Sequence, residues 1–80
     1  MAQANRYDLF QNALVEARQK KGLTQSEVAL RVDRPQSFVS KYESGERRLD
    51  VVEFVEICEA LSANPHEVLT ILIEQDDNRA

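Results

Sequence analysis

One short pattern, repeated along the chain, limits what this sequence can fold into. An oxygen-bearing residue followed three positions later by Glu occurs at Thr24–Glu27, Asp50–Glu53 and Asn64–Glu67. Each pair is bracketed by apolar residues: Leu23 and Val28, Leu49 and Phe54, Ala63 and Val68. In such a capping box the first side chain accepts the backbone N–H three residues on, the glutamate returns to the first residue's N–H, and the flanking apolar pair staples the entry of the chain. Three helix starts are thus written into the sequence. No segment alternates apolar and polar residues over five or more positions between turn residues, so strands are not expected.

The remaining punctuation completes an all-α reading with five helices over about 6–21, 24–32, 35–44, 50–61 and 65–75. Asn5 is a cap candidate for the first, Phe10, Ala13, Leu14 and Ala17 mark one of its faces, and Gly22 supplies a left-handed stop. The second ends at Asp33-Arg34-Pro35, because proline pushes the residue before it out of the α region and is suited to open the next helix at its first turn. The third ends at Gly45, and the tail from about Gln75 is expected to fray. At 80 residues the chain is read as one domain, residues 1–80, with all connections a few residues long.

Charge is divided along this frame. Residues 1–48 carry nine basic and six acidic side chains, whereas residues 49–80 carry Arg79 against eight acids, so a net charge of −4 hides halves of +3 and −7. One face can then be drawn to a polyanion while the other keeps the protein in solution. The single Cys58 closes no intrachain disulfide, and on an apolar stripe it behaves as a small hydrophobe. The longest greasy segment, Val68 to Ile73, is too short to span a bilayer, and no export signal begins the chain, so a soluble cytoplasmic protein is expected.

The third helix gives the arrangement a purpose. Its large apolar residues are Phe38, Val39 and Tyr42, which leaves Gln36, Ser37, Ser40 and Lys41 on the other side, with a basic loop following at Glu46-Arg47-Arg48. Two short helices joined by a tight turn, the second with a small polar face, form the layout that sets a recognition helix into the DNA major groove. From Leu23 to Val32 and from Gln36 to Gly45 the sequence resembles the helix-turn-helix of lambdoid phage repressors, Cro proteins and the wider Xre-type bacterial regulators, a likeness that extends from about Leu14 to Leu69.

That resemblance implies a five-helix, lambda-repressor-like DNA-binding fold and assigns roles residue by residue. Gln25 would contact a phosphate and brace Gln36, whose amide is suited to adenine; Ser37 and Lys41 would reach base edges on the same face, with Ser40 nearby. Arg34, Ser44, Arg47 and Arg48 would meet the phosphate backbone. Arg18 and Glu43 match positions that form an ion pair between the first and third helices, and stranding either partner would cost about 3–5 kcal/mol. Asp33 stands where the family usually has glycine, and Pro35 where it has a small cap, which puts the angle of the third helix in question. Phe38, larger than usual, either touches a thymine methyl or packs inward.

The last two helices carry more apolar residues than one buried stripe requires, and Ile71 or Ile73 should be left exposed as a dimer seam. The expected protein is therefore a homodimeric transcriptional regulator on double-stranded DNA, with a roughly palindromic operator; the alternative is a protein-interaction module, an antitoxin or adaptor, on the same scaffold. The chain has no room for a ligand-sensing module, so no small-molecule ligand is expected. His66, the only histidine, has no cluster of metal-ligand spacing around it and should face solvent. With no nucleophile elbow, Gly-rich phosphate loop or HExxH, neither catalysis nor a metal or other cofactor is expected.

Overall fold

The computed structural model describes residues 5–77. It contains five helices: α1 Arg6–Lys20, α2 Gln25–Val32, α3 Gln36–Ser44, α4 Val51–Leu61 and α5 Pro65–Asp77. Among the described residues there is no strand, and no helix is long and apolar enough to cross a membrane. The expected fraying from Gln75 is not seen as far as Asp77, and its remainder lies outside the described residues.

Cap chemistry sets the helix starts. The Asn5 side chain accepts from the Asp8 amide at 2.9 Å, and complete capping boxes close at Thr24–Glu27 and Asp50–Glu53. Thr24 and Asp50 are thus caps just outside their helices rather than first residues. At α5 the Asn64 side chain takes the amide of His66, at 2.9 Å, while the Glu67 amide bonds the Asn64 carbonyl. Pro35 is likewise a cap rather than the opening residue of α3; it has no side-chain oxygen to offer, and its carbonyl accepts the Phe38 amide at 3.0 Å.

Three helices end by one device. After α1, α2 and α4 the chain turns through a left-handed residue, Gly22, Asp33 or Ser62, and the next amide reaches back five residues: Leu23 to Arg18, Arg34 to Ala29, Ala63 to Cys58. This is the Schellman closure. Asp33 adopts the conformation that glycine would take without strain, at φ 59°. The turn into α3 is therefore retained despite the substitution.

The apolar faces meet in one core of Leu14, Val28, Ala29, Phe38, Val39, Tyr42, Phe54, Ile57, Cys58, Leu61 and Val68, with Leu23, Leu49 and Ala63 packed against it as the staples require. Phe10 and Phe54 pair at 5.2 Å, and Phe38 and Tyr42 at 5.4 Å edge to face. Phe38 is 8% exposed, so it takes the inward of its two sequence alternatives. Burial pushes the Cys58 thiol up to about 11, in keeping with a small hydrophobe. α2 and α3 pack on one another, with α1 against α3 and α5, and α4 against α2 and α5.

Ser62 pays for its left-handed conformation, at φ 53°, with no base-reading or phosphate role assigned to it. Ser62→Gly should raise stability by about 0.5–1 kcal/mol, a gain of several degrees in a thermal melt followed by circular dichroism.

Candidate nucleic-acid interface

Packing decides which side of α3 is available. Phe38, Val39 and Tyr42 are buried, while Gln36, Ser37, Ser40, Lys41 and Ser44 are all exposed. These exposed positions occupy a single arc of the helix, since 3.6 residues per turn brings 36, 37, 40, 41 and 44 to one side. The four residues expected to read bases therefore share one solvent-facing surface.

A chain of hydrogen bonds holds that surface from behind. Arg18 grips Glu43 with two parallel bonds, Nε to Oε2 at 2.7 Å and Nη2 to Oε1 at 3.0 Å, and its Nη1 donates to the Leu23 carbonyl at 2.9 Å. The bond to Glu43 raises the Arg18 pKa above its ordinary value. Gln25 donates to the same carboxylate at 2.9 Å and accepts from Gln36 at 3.5 Å. Ser26 donates to the Gln36 oxygen at 3.2 Å. One carboxylate on α3 is thus the meeting point of α1 and α2, and Gln36 projects at the end of the relay. An amide carries two donors and an oxygen with two lone pairs, so these bonds leave Gln36 able to engage a base edge.

The expected phosphate residues are arranged less simply. Arg47 forms a fork with Glu53, Nη1 to Oε1 at 3.0 Å and Nη2 to Oε2 at 2.9 Å, and Arg34 reaches the same Oε2 at 3.4 Å. Their guanidinium carbons lie 5.0 and 4.5 Å from the centre of the Phe38 ring. Arg48 stacks over Tyr7 at 4.0 Å. The Ser44 hydroxyl donates to the Lys41 carbonyl at 3.1 Å and so closes its own helix. Glu53, Tyr7 and Ser26 were not among the expected site residues. Only Glu53 gave a local signal, and that signal was spent on its role as the third residue of a capping box.

Gly45 ends α3 at φ 88°, and a Cβ there would come within 3.0 Å of the Gln11 side chain. The left-handed backbone favours glycine at this point, and any side chain there would also have to displace the end of Gln11. His66 is exposed, as expected, and no group of metal-ligating side chains occurs among the described residues.

Ile71 and Ile73 are both exposed, at 47% and 65%. Two residues apart, they lie on nearly opposite sides of α5. Ile71 lines an open groove with Ala13, Ala17 and Lys20 of α1, whereas Ile73 shares its side with Leu69, which is also exposed.

A helix-turn-helix family model matches residues 14–68, from the buried Leu14 of α1 to Val68 of α5, and so takes in the whole relay and α3. The chain belongs to the Xre-like helix-turn-helix family. An XRE-family like protein from Pseudomonas syringae pv. tomato is 47% identical over 88% of this chain and 85% of its own, with a TM-score of 0.83. The restriction-modification controller protein C.AhdI from Aeromonas hydrophila is 31% identical over 78% of this chain and 94% of its own, with a TM-score of 0.72. The clp gene regulator ClgR from C. glutamicum, 23% identical over 91% of this chain and 95% of its own, shares the fold at a TM-score of 0.80. No curated protein sequence matches the chain significantly.

Within this family fold the Arg18–Glu43 pair is almost closed to water, its side chains 15% and 7% exposed. Arg18→Ala leaves a carboxylate with only Gln25 to hold it and should cost about 3–5 kcal/mol in urea denaturation. Replacing both partners together, Arg18→Met with Glu43→Leu, should recover most of that loss.

Proposed function

We propose that this protein is a sequence-specific DNA-binding transcriptional regulator that works as a homodimer. The observation that carries the reading is the exposed polar arc of α3, anchored by three buried residues on its other side and by the Arg18–Glu43–Gln25 relay. Gln36, Ser37 and Lys41 are its base readers, with Ser40 beside them. An amide such as that of Gln36 matches adenine N6 and N7, and an ammonium such as that of Lys41 matches guanine O6 and N7 or a phosphate. Gln25, Arg34, Arg47 and Arg48 take the backbone, and Ser44 lies at the edge of the same surface. The likeness to C.AhdI, a restriction-modification controller protein, supports the same reading.

A second copy supplies the other half of the operator. Two recognition helices about 34 Å apart enter successive major grooves of a roughly palindromic site. The seam runs along the exposed side of α5 that carries Leu69 and Ile73, whereas Ile71, on the other side, faces the groove against α1. The acidic second half of the chain, Glu53 apart, then lies away from the DNA, where it limits attachment to unrelated polyanions.

Selection of fragments from genomic or random DNA gives the operator directly. On such a fragment the logarithm of affinity should fall by about 0.9 per tenfold rise in salt for each phosphate neutralised. Gln36→Ala with Lys41→Ala should abolish specific binding while the protein stays folded. No bound fragment, or affinity flat with salt, refutes DNA regulation and leaves a protein-docking role for the scaffold, whereas affinity unmoved by those two changes refutes Gln36 and Lys41 as base readers. Sedimentation tests the seam separately: Ile73→Glu should lower the mass towards the monomer, and Ile71→Glu should do so far less.

A further inference from the structure

Glu53 is largely buried, 8% exposed as a residue, yet its place in the capping box does not require a charge. The helix start needs only an oxygen at this position, which Gln also provides. The rest of its bonding goes elsewhere. Oε1 accepts the Asp50 amide at 3.1 Å and Arg47 Nη1, and Oε2 accepts both Arg47 Nη2 and Arg34 Nη2. Two guanidinium groups that enter from opposite ends of α3 are therefore held side by side by one oxygen atom, with the Phe38 ring against both. Two cations thus share one carboxylate, the Asp50 charge also acts on Arg47, and the side chains of Arg34 and Arg47 remain 38% and 40% exposed.

The cluster also sits where a polyanion would pass. Phe38 precedes Lys41 by three residues and so adjoins it on α3. Arg34 lies two residues before α3 and Arg47 three residues after it. An arginine has five N–H donors in a planar fork, so the bonds to Glu53 leave donors on each guanidinium for a phosphate oxygen.

On the reading of the protein as a DNA regulator, we propose that Glu53 is a positioning residue, which holds Arg34 and Arg47 together as a preset clamp for the phosphate backbone beside the recognition helix. Without the carboxylate the two cations repel one another and leave the ring, and each must be ordered anew when DNA binds.

Glu53→Gln tests this with the full chain and a fragment selected by the wild-type protein. It keeps the cap to Asp50, so the thermal melt should still show a folded protein. Affinity should fall about tenfold, the scale of one charged contact. The salt dependence should become shallower by about 0.9 per lost phosphate for each bound subunit. In an Arg34→Ala, Arg47→Ala background Glu53→Gln should change neither quantity further, an outcome that a purely structural role would not give. Equal or tighter binding by Glu53→Gln, with an unchanged or steeper salt slope, overturns the proposal, because the carboxylate would then be competing with DNA for its arginines. Should Glu53→Gln unfold, Arg47→Lys serves instead: it keeps the charge but not the fork, and undiminished binding by it sinks the clamp. Wild-type protein that binds no fragment at all refutes DNA regulation itself, whereas wild-type binding with an indifferent Glu53→Gln refutes only the role of Glu53.

Discussion

The bidentate bond between Arg18 and Glu43 is the constraint on which the geometry of the reading surface depends. Apolar packing brings α1, α2 and α3 together, but burial is non-directional and tolerates rotation of a short helix about its axis. α3 has nine residues and only three buried anchors, so its rotation needs a directional contact. The fork to Arg18 provides one, and because Arg18 also holds the Leu23 carbonyl, the entry to α2 is fixed by the same guanidinium. The cost of burying two charges is offset by four hydrogen bonds shared among Arg18, Glu43, Gln25 and Leu23. Orientation is what this arrangement adds beyond the hydrophobic core.

Much of the fold was legible because helix ends are local events. Thr24, Asp50 and Gly22 determine hydrogen bonds to residues within a few positions, so sequence distance and spatial distance coincide there. The same locality explains the small misreadings. Asn64 has two amides within reach, those of His66 and Glu67, and the sequence offers no reason to prefer the nearer. Pro35 satisfies the rules for both a first helical residue and a cap, and only the geometry of the turn after Asp33 places it outside α3.

The site was legible to a smaller extent. The polar arc of α3 follows from periodicity, and the positions of Arg18 and Glu43 follow from the family resemblance. The partners of Arg34 and Arg47 do not, since Glu53 is nineteen and six residues away from them and meets them only because α4 packs against α2. The breadth of the apolar arc led to the expectation that Ile71 or Ile73 would face outward; both do, on different sides of α5. An excess of apolar residues says that some must face outward without saying which neighbour each will meet, and Ile71 turns towards α1.

Phe38 links the buried and exposed halves of this design. A smaller residue at that position would lose the edge-to-face contact with Tyr42, leave a void in the core, and offer the two arginines no ring face. A guanidinium over an aromatic face gains about 0.5–1 kcal/mol at a partly exposed site. Planar stacking also removes rotamer freedom that would otherwise be lost on contact with a phosphate. The depressed pKa of Glu53, about 2, set chiefly by the hydrogen bond from Arg47 and then by the Asp50 amide, keeps its carboxylate ionised across the neutral range. The ring and the carboxylate thus act on the same two cations from different sides, one through its π face and one through its oxygens. A large aromatic residue beside an otherwise polar helix face therefore serves two ends at once, the core volume it fills and the charges it seats.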